Sequence, residues 1–334
     1  MMMTDRGFSG LVLIMRIVLF AAGLLMNLYL GFHFTCRDCI AIVAQANQVA
    51  HFITLIAVMI FALAVGLRVR WWLLVWLAPG AVMFFVWYGQ HFLPKPEPDV
   101  EGTEFIIATY NVLGYGADPE RTFAVVKAMD ADIVAFQELR PTLQGKIESD
   151  LADEYPYQTF KIIDGFDGWG LISRYPFVEN EISTSYDPRV PSDIRAVIDM
   201  NGQHIAVYGY HPPFPGFQLW HGYDDRFNRE NVYNMQTYLA NEELPILLLC
   251  DCNFTQRTRQ YAWINTILDD SFSESGWGFG LTHPGYYRLP FPAIRIDYIW
   301  HSEAFTALEA KVWDDNGTSD HHPMWARLVL HSPE

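Results

Sequence analysis

The sequence predicts an α/β domain of stacked β-sheets faced by helices, preceded by three transmembrane helices. Three observations predict it. Before residue 95 the chain carries three long stretches without charge. Beyond it, short β-rich runs alternate with helical patterns. Those runs end, one after another, in carboxylate, amide or imidazole side chains. Hydrophobic residues make up 51% of the 334 and charged residues 18%, so membrane spans are sought before a soluble core.

The charge-free stretches are Ile17 to Cys36, Cys39 to Leu67 (densest over Phe52 to Leu67) and Trp71 to Pro94. At 1.5 Å per residue each can cross about 30 Å of hydrocarbon. No small-residue cleavage site follows the first, which argues against a signal peptide. The other two are too apolar for surface helices; the alternative is a buried hairpin of a soluble domain. Arg6 and Arg16 sit at the start of the first span, and Arg68 and Arg70 link the second and third. Basic residues stay cytoplasmic, so three crossings place everything after residue 95 outside. The expected division is 1–94 membrane anchor, 95–104 Pro- and acid-rich solvated tether, and 105–334 catalytic domain, in the cytoplasmic membrane with the domain extracytoplasmic.

Six of the 22 basic and four of the 38 acidic residues precede position 100, which leaves 16 against 34, a net charge of −18. Such a field repels polyanions over a Debye length of about 8 Å and argues against broad DNA binding. It leaves room for one phosphate held by a metal in a cleft. Four cysteines are too few for a disulfide scaffold. Cys36 and Cys39 can pair or stay free, and two ligands alone do not make a zinc site.

Taken in order, "EFIIATYNVL" has the β-branched and aromatic content of a strand. "PERTFAVVKAMD" places Phe123, Val126 and Lys127 at helical spacing. "ADIVAFQEL" is a buried strand, and "WGLISRYP" a strand stopped by Pro176. "RAVIDMNGQHIAVYGYHPP" is a hairpin turning at Asn201-Gly202. Arg229 to Asn241 reads as a helix, and "PILLLCDCN", "RIDYIWHS" and "HPMWARLVL" as three further strands. The outcome is a β-sandwich faced by helices, one domain of about 235 residues.

The strand ends carry Asn111, Glu138, His211, Asp251, Asn253, Asp297, and Asp320 with His321. Any one of them reads as a turn former or cap. Asp297 is harder to dismiss, because it lies inside an apolar strand where an unpaired charge is costly. Together "YN" (Tyr110, Asn111), "ADIVAFQE" (Ala131 to Glu138), "DCN" (Asp251 to Asn253), "RIDYIW" (Arg295 to Trp300) and "SDHHP" (Ser319 to Pro323) follow one order. That order resembles the endonuclease/exonuclease/phosphatase superfamily, which includes pancreatic-type deoxyribonuclease, abasic-site endonuclease, neutral sphingomyelinases and inositol polyphosphate 5-phosphatases. The spans before it are similar to those of bacterial membrane-anchored members. The resemblance implies a four-layer α/β sandwich, two packed β-sheets flanked by helices, over Thr103 to Leu330.

It also implies roles. Phosphodiester hydrolysis needs neutralised phosphoryl oxygens, an activated water and help for the leaving oxygen. Glu138 is the metal ligand, suited to Mg²⁺ with Mn²⁺ as the alternative, and Asn111 and Asp320 complete or support that site. Asp251 orients or deprotonates water, and Asn253 donates to a phosphoryl oxygen. His321 is base or charge stabiliser, with Asp297 on its other ring nitrogen. His211 protonates the leaving group; His322 is support or surface. No organic cofactor is implied. Two departures stand out. Cys250 replaces the glycine of the usual G-D-x-N, and Cys250 and Cys252 read as small buried hydrophobes facing away from Asp251. Leu113 stands where abasic endonucleases carry an acid.

The leading expectation is a Mg²⁺-dependent phosphoesterase tethered outside the cytoplasmic membrane, its partners the bilayer and a phosphoester substrate. Lipid or another small phosphoester is favoured by the charge and by two aromatic loops, His211 to Phe227 and Gly276 to Pro292. A nuclease acting on DNA or RNA is the alternative, although no basic cluster is visible. A non-catalytic scaffold is the third. Nothing in the sequence fixes an oligomeric state.

Overall fold

The computed structural model of the chain describes residues 5–332 apart from 97, 114, 115, 117, 163–167, 183–186, 192, 219–221 and 286–288. Parts of both aromatic loops therefore lie outside the described residues. The chain forms two units, Met1–Leu93 and Pro94–Glu334.

The first unit holds α1 (Asp5–Cys36), α2 (Ala41–Gln48), α3 (Ala50–Gly66) and α4 (Trp71–Tyr88). Among the described residues two stretches are long and apolar enough to cross a membrane, Gly10–Cys36 and Trp71–Phe92. The middle stretch is a bent pair, α2 and α3 meeting at 79°, and makes a third span only if the pair is taken as one. The break falls at Val49, beside a polar hub. Asn47 Oδ1 accepts from Tyr29 and pairs with His33 Nδ1, both at 2.9 Å, while its Nδ2 donates to Asp38 at 2.6 Å. Satisfying a buried amide from three sides fixes α2 against α1 and leaves the chain to turn before α3. Tight crossing of α1 and α4 relies on small residues: a Cβ at Gly23 would strike the Trp76 ring. Cys36 and Cys39 are joined in a disulfide.

The described residues of the second unit form fourteen strands: β1 (Gly102–Asn111), β2 (Ile133–Leu139), β3 (Tyr157–Lys161), β4 (Gly168–Ser173), β5 (Phe177–Ile182), β6 (Asp193–Met200), β7 (Gln203–Tyr210), β8 (Gly216–Gln218), β9 (Gly222–Asp224), β10 (Ile246–Asp251), β11 (Asp269–Asp270), β12 (Asp297–His301), β13 (Phe305–Val312) and β14 (Met324–His331). Its helices are α5 (Pro119–Met129), α6 (Pro141–Asp150), α7 (Arg226–Leu239), α8 (Arg259–Ile264) and α9 (Ser271–Ser275). One six-stranded sheet runs β13-β14-β1-β2-β4-β3 and the other β11-β12-β10-β7-β6-β5. Their inner faces share one core, in which Ile107, Ile133 and Leu171 meet Ile194, Val207, Leu249 and Ile299. The outer face of the first sheet packs on α5 and α6, that of the second on α7 and α8. This is helix, sheet, sheet, helix: four layers.

Local chemistry explains the elements that matter. Asp118 caps α5 by accepting from the backbone of Glu120 and Arg121, with Pro119 at its first turn. Asn201 and Gly202, at φ 59° and 95°, make the tight β6–β7 turn. β1 begins at Gly102, inside the expected tether, and Lys95 of that tether donates to Ser273 O at 2.7 Å instead of being solvated. Below it lies a buried ion pair. Arg295 reaches Asp270 with two nitrogens, at 3.0 and 2.6 Å, and its guanidinium lies 4.8 Å from the ring centres of Phe272 and Tyr298.

The topology decides where a site can form. β1 and β2 are parallel, joined through α5; β7 and β10 are parallel, joined through α7. Both pairs present their carboxyl ends at one edge of the sandwich. β12 pairs antiparallel to β10 and β14 antiparallel to β1, so their beginnings reach that same edge.

Candidate active site

Asn111 closes β1 and is fully buried. Its Nδ2 donates to Glu138 Oε1 of β2 and to Asp251 Oδ2 of β10, both at 2.9 Å, and so ties the two sheets together. Its Oδ1 accepts from Leu113 N at 3.0 Å, and its backbone oxygen accepts from Ser319 Oγ at 2.7 Å. Asn111 therefore supports Glu138 through its amide nitrogen. Glu138 sits on a bulge between Gln137 and Leu139 with φ 56°, and Asn253 has φ 54°. Left-handed backbone at a glutamate is costly and serves to re-aim the side chain.

Asp251 and Asp297 lie directly opposite each other in the β10–β12 ladder. Two facing buried carboxylates repel, so a cation must answer them. His321 does so: its Nδ1 is 2.9 Å from Asp297 Oδ2 and its Nε2 is 3.7 Å from Asp251 Oδ2. Burial alone would lower the imidazole pKa, but the two carboxylates outweigh it and push His321 up to about 10. Burial lifts Asp297, and Asp251 adds to the lift against the pull of His321. For Asp251 burial is overcome by His321, His211 and the Asn111 hydrogen bond, which hold its carboxyl well below the usual range. His211, just after β7, brings Nε2 to 3.3 Å from Asp251 and 3.1 Å from Asn253 Nδ2. Asn253 Nδ2 also donates to Pro212 O at 3.1 Å, so its amide nitrogen braces the His211 loop.

These groups open on a cleft of about 390 Å³ lined by Glu138, Trp169, His211, Asp251, Asp320 and His321 among others. Ligand atoms of Glu138, His211 and Asp251 lie within 4.8 Å of one another, as do those of His283, Asp320 and His321. Asp320, expected beside Glu138, thus groups with the two histidines. Its Oδ1 is buried with no hydrogen-bond partner among the described residues. The hard oxygens of Glu138 and Asp251, and that orphaned carboxylate oxygen, fit a divalent cation of the Mg²⁺ or Mn²⁺ kind.

The Endonuclease/Exonuclease/phosphatase family profile matches residues 108–321, from before Asn111 through His321. The chain belongs to that family. Among solved structures it is similar to an endonuclease/exonuclease/phosphatase from Beutenbergia cavernae, at 20% identity and TM-score 0.53, covering 69% of this chain and 72% of that one. Sphingomyelinase C from Streptomyces griseocarneus is similar at 17% identity and TM-score 0.54, covering 67% and 99%. A mannosyl-6-phosphatase from Bacteroides thetaiotaomicron is similar at 19% and 0.52, also covering 67% and 99%. At these identities the likeness is one of fold. No curated protein sequence matches the chain.

Members of the family act on phosphoester bonds, which suits the cleft just described. Two features were not read from the sequence. Cys250 and Cys252, expected as small separate hydrophobes, are buried but joined in a disulfide that brackets Asp251. The other is a ladder of amides on α7. Asn228 Nδ2 donates to Pro213 O at 2.9 Å and Cys252 O at 3.3 Å, linking the His211 and Asn253 loops. Asn231 donates to Pro188 O and Val190 O, both at 3.0 Å. Spacing of three residues puts both on one helix face, and that pattern was the available signal. Asn228→Asp is expected to turn two donors into a repelled carboxylate and lower kcat about tenfold or more, with KM changed less. A thermal midpoint that falls while kcat holds would make Asn228 merely structural.

Proposed function

We propose that the chain is a metal-dependent phosphoesterase, held by three membrane crossings with its catalytic unit outside the cytoplasmic membrane. The observation that carries the chemistry is the Asp297–His321–Asp251 relay ending beside Glu138 in one cleft. Glu138 and Asp251 would hold the cation, steered by Asn111. When bound, it neutralises phosphoryl oxygens and makes a coordinated water acidic. His321, whose charged form is favoured by Asp297 and Asp251, suits the charge-stabilising role better than that of base. Asp251, ionised, is then placed to orient the attacking water. Asp297 holds the His321 ring in place. Burial works against a proton on His211, but Asp251 and Glu138 raise its pKa, which suits protonation of the leaving oxygen.

Three crossings are supported by the packing of Leu19, Ala64, Leu73 and Leu77 in one cluster. The early part of α1, the end of α3 and the start of α4 then share one end, so α3 returns the chain despite the bend. Arg68 and Arg70 mark that end as cytoplasmic.

A lipid or other envelope phosphoester is favoured as substrate over nucleic acid. No lysine or arginine lines the cleft among the described residues, and the chain beyond residue 100 carries −18. The link 94–101 reaches at most about 30 Å, which keeps a headgroup at high effective concentration. Intact spheroplasts carrying the protein test this, offered their own lipids and added plasmid DNA with Mg²⁺ at physiological salt. EDTA-sensitive lipid cleavage without lysis is expected. DNA cleavage with every lipid intact would favour the nuclease. Activity only after lysis would reverse the topology, and full activity in EDTA would exclude the metal.

A further inference from the structure

His283 has no place in the chemistry above, yet it lines the cleft. Its backbone is pinned on both sides. His283 N donates to Ile294 O at 3.0 Å, and His283 O accepts from Ala293 N and Ile294 N at 2.7 and 3.0 Å. The preceding Thr282 O accepts from His322 N at 2.8 Å. The ring is fixed as well. It lies against His321 with centroids 4.4 Å apart and the rings tilted by 39°, and its Nδ1 accepts from Gly285 N at 3.0 Å. Gly285 adopts φ 80°, a conformation that a side chain would strain.

This contact sets the tautomer. A nitrogen that accepts an N–H carries no proton of its own, so the ring proton sits on Nε2. Such an Nε2 cannot bind a metal, although the spacing to Asp320 and His321 would allow it. The facing acceptor among the described residues, Asp320 Oδ2, is 3.6 Å away, a long contact that a shorter one to a substrate oxygen can replace.

Building on the phosphoesterase reading, we propose that His283 is a substrate-contacting residue whose Nε2–H donates to a non-bridging phosphoryl oxygen beside His321. His321 supplies charge there; His283 supplies a fixed neutral dipole. The Gly285 contact aims it before substrate arrives, so no reorganisation accompanies the reaction.

The test uses full-length protein in detergent with Mg²⁺, bis-p-nitrophenyl phosphate as substrate and inorganic phosphate as ligand. His283→Phe keeps a ring on His321 and removes the donor; His283→Gln restores a donor. For the Phe variant kcat/KM is expected to fall about 10- to 100-fold, with an unchanged Mg²⁺ requirement. The Gln variant should recover part of the loss. Calorimetry should show phosphate bound about tenfold more weakly by His283→Phe, a readout that stands even if the ester is not turned over. Wild-type phosphate affinity in the Phe variant would overturn the proposal. So would a loss of activity cured by raising Mg²⁺, which would make His283 a ligand. A wild-type protein that binds phosphate but cleaves no ester would count against the phosphoesterase reading and leave the His283 contact standing.

Discussion

Glu138→Gln is expected to lower kcat/KM by about a thousandfold while leaving the fold intact. Removing a hard anionic ligand forfeits several kcal/mol of charge stabilisation, and each 1.36 kcal/mol is a factor of ten. The side chain lies close enough to Asp251 to share a cation with it, so without metal the two charges repel. Neutralising one should leave the apo thermal midpoint level or slightly raised. Mg²⁺ should stabilise the native protein and stabilise the variant less. The checks are steady-state kinetics over a Mg²⁺ titration and thermal melts with and without the ion. Rates within tenfold of wild type would remove Glu138 from the metal site, and an equal Mg²⁺-induced shift in both proteins would do the same.

Arg295→Met should cost the catalytic unit about 3–5 kcal/mol, the penalty for leaving one partner of a buried pair uncompensated. Asp270 would keep Tyr261 Oη at 2.9 Å, Ser273 Oγ at 2.8 Å and Phe272 N at 3.0 Å, but no cation in contact. For a unit of this size each kcal/mol moves the midpoint about 2–4 °C, so the shift is about 6–20 °C. The pH dependence should change sign. In the native protein burial would raise the Asp270 carboxyl, but Arg295 and the hydrogen bonds outweigh it and hold it below the usual range. That stability is present above the ordinary carboxylate pKa and is lost as pH falls through the folded value. Without Arg295 the burial penalty rules, the folded pKa rises, and the variant should gain stability as pH drops. A second change, Asp270→Leu, should recover much of the loss. Unaltered melting of Arg295→Met would show the pair to be dispensable.

The strand ends were legible because a polar residue closing an apolar run breaks a local pattern, as Asn111, Glu138, His211 and Asp251 do, and because Asp297 interrupts one from inside. What the sequence hid depends on register or on partners far along the chain. Nothing local announces that Asp251 will face Asp297, since that follows from antiparallel pairing across 45 intervening residues. The charge on His321 follows from the same pairing. His283 sits in a Gly- and Pro-rich loop without periodicity, and a single backbone N–H decides its role. The bend at Val49 was masked because hydropathy averages Asn47, Gln48 and His51 into an apolar window. A sandwich faced by helices was legible from alternation and its four layers from the family resemblance, but edge strands such as β5, with its exposed Glu179, Asn180 and Glu181, lack the apolar alternation that marks the others.

The left-handed glutamate at position 138 has a bearing on the history of the chain. Glycine would hold that backbone without penalty, whereas a glutamate there costs about 1–3 kcal/mol. In a lineage kept only for its membrane anchor or its shape, exchange to glycine would be an improvement within reach of two base changes or fewer. A glutamate placed where the backbone prefers no side chain points to a requirement other than stability. By that measure, a residue held in left-handed backbone speaks more strongly against an idle scaffold than the best-packed residues of the second unit do.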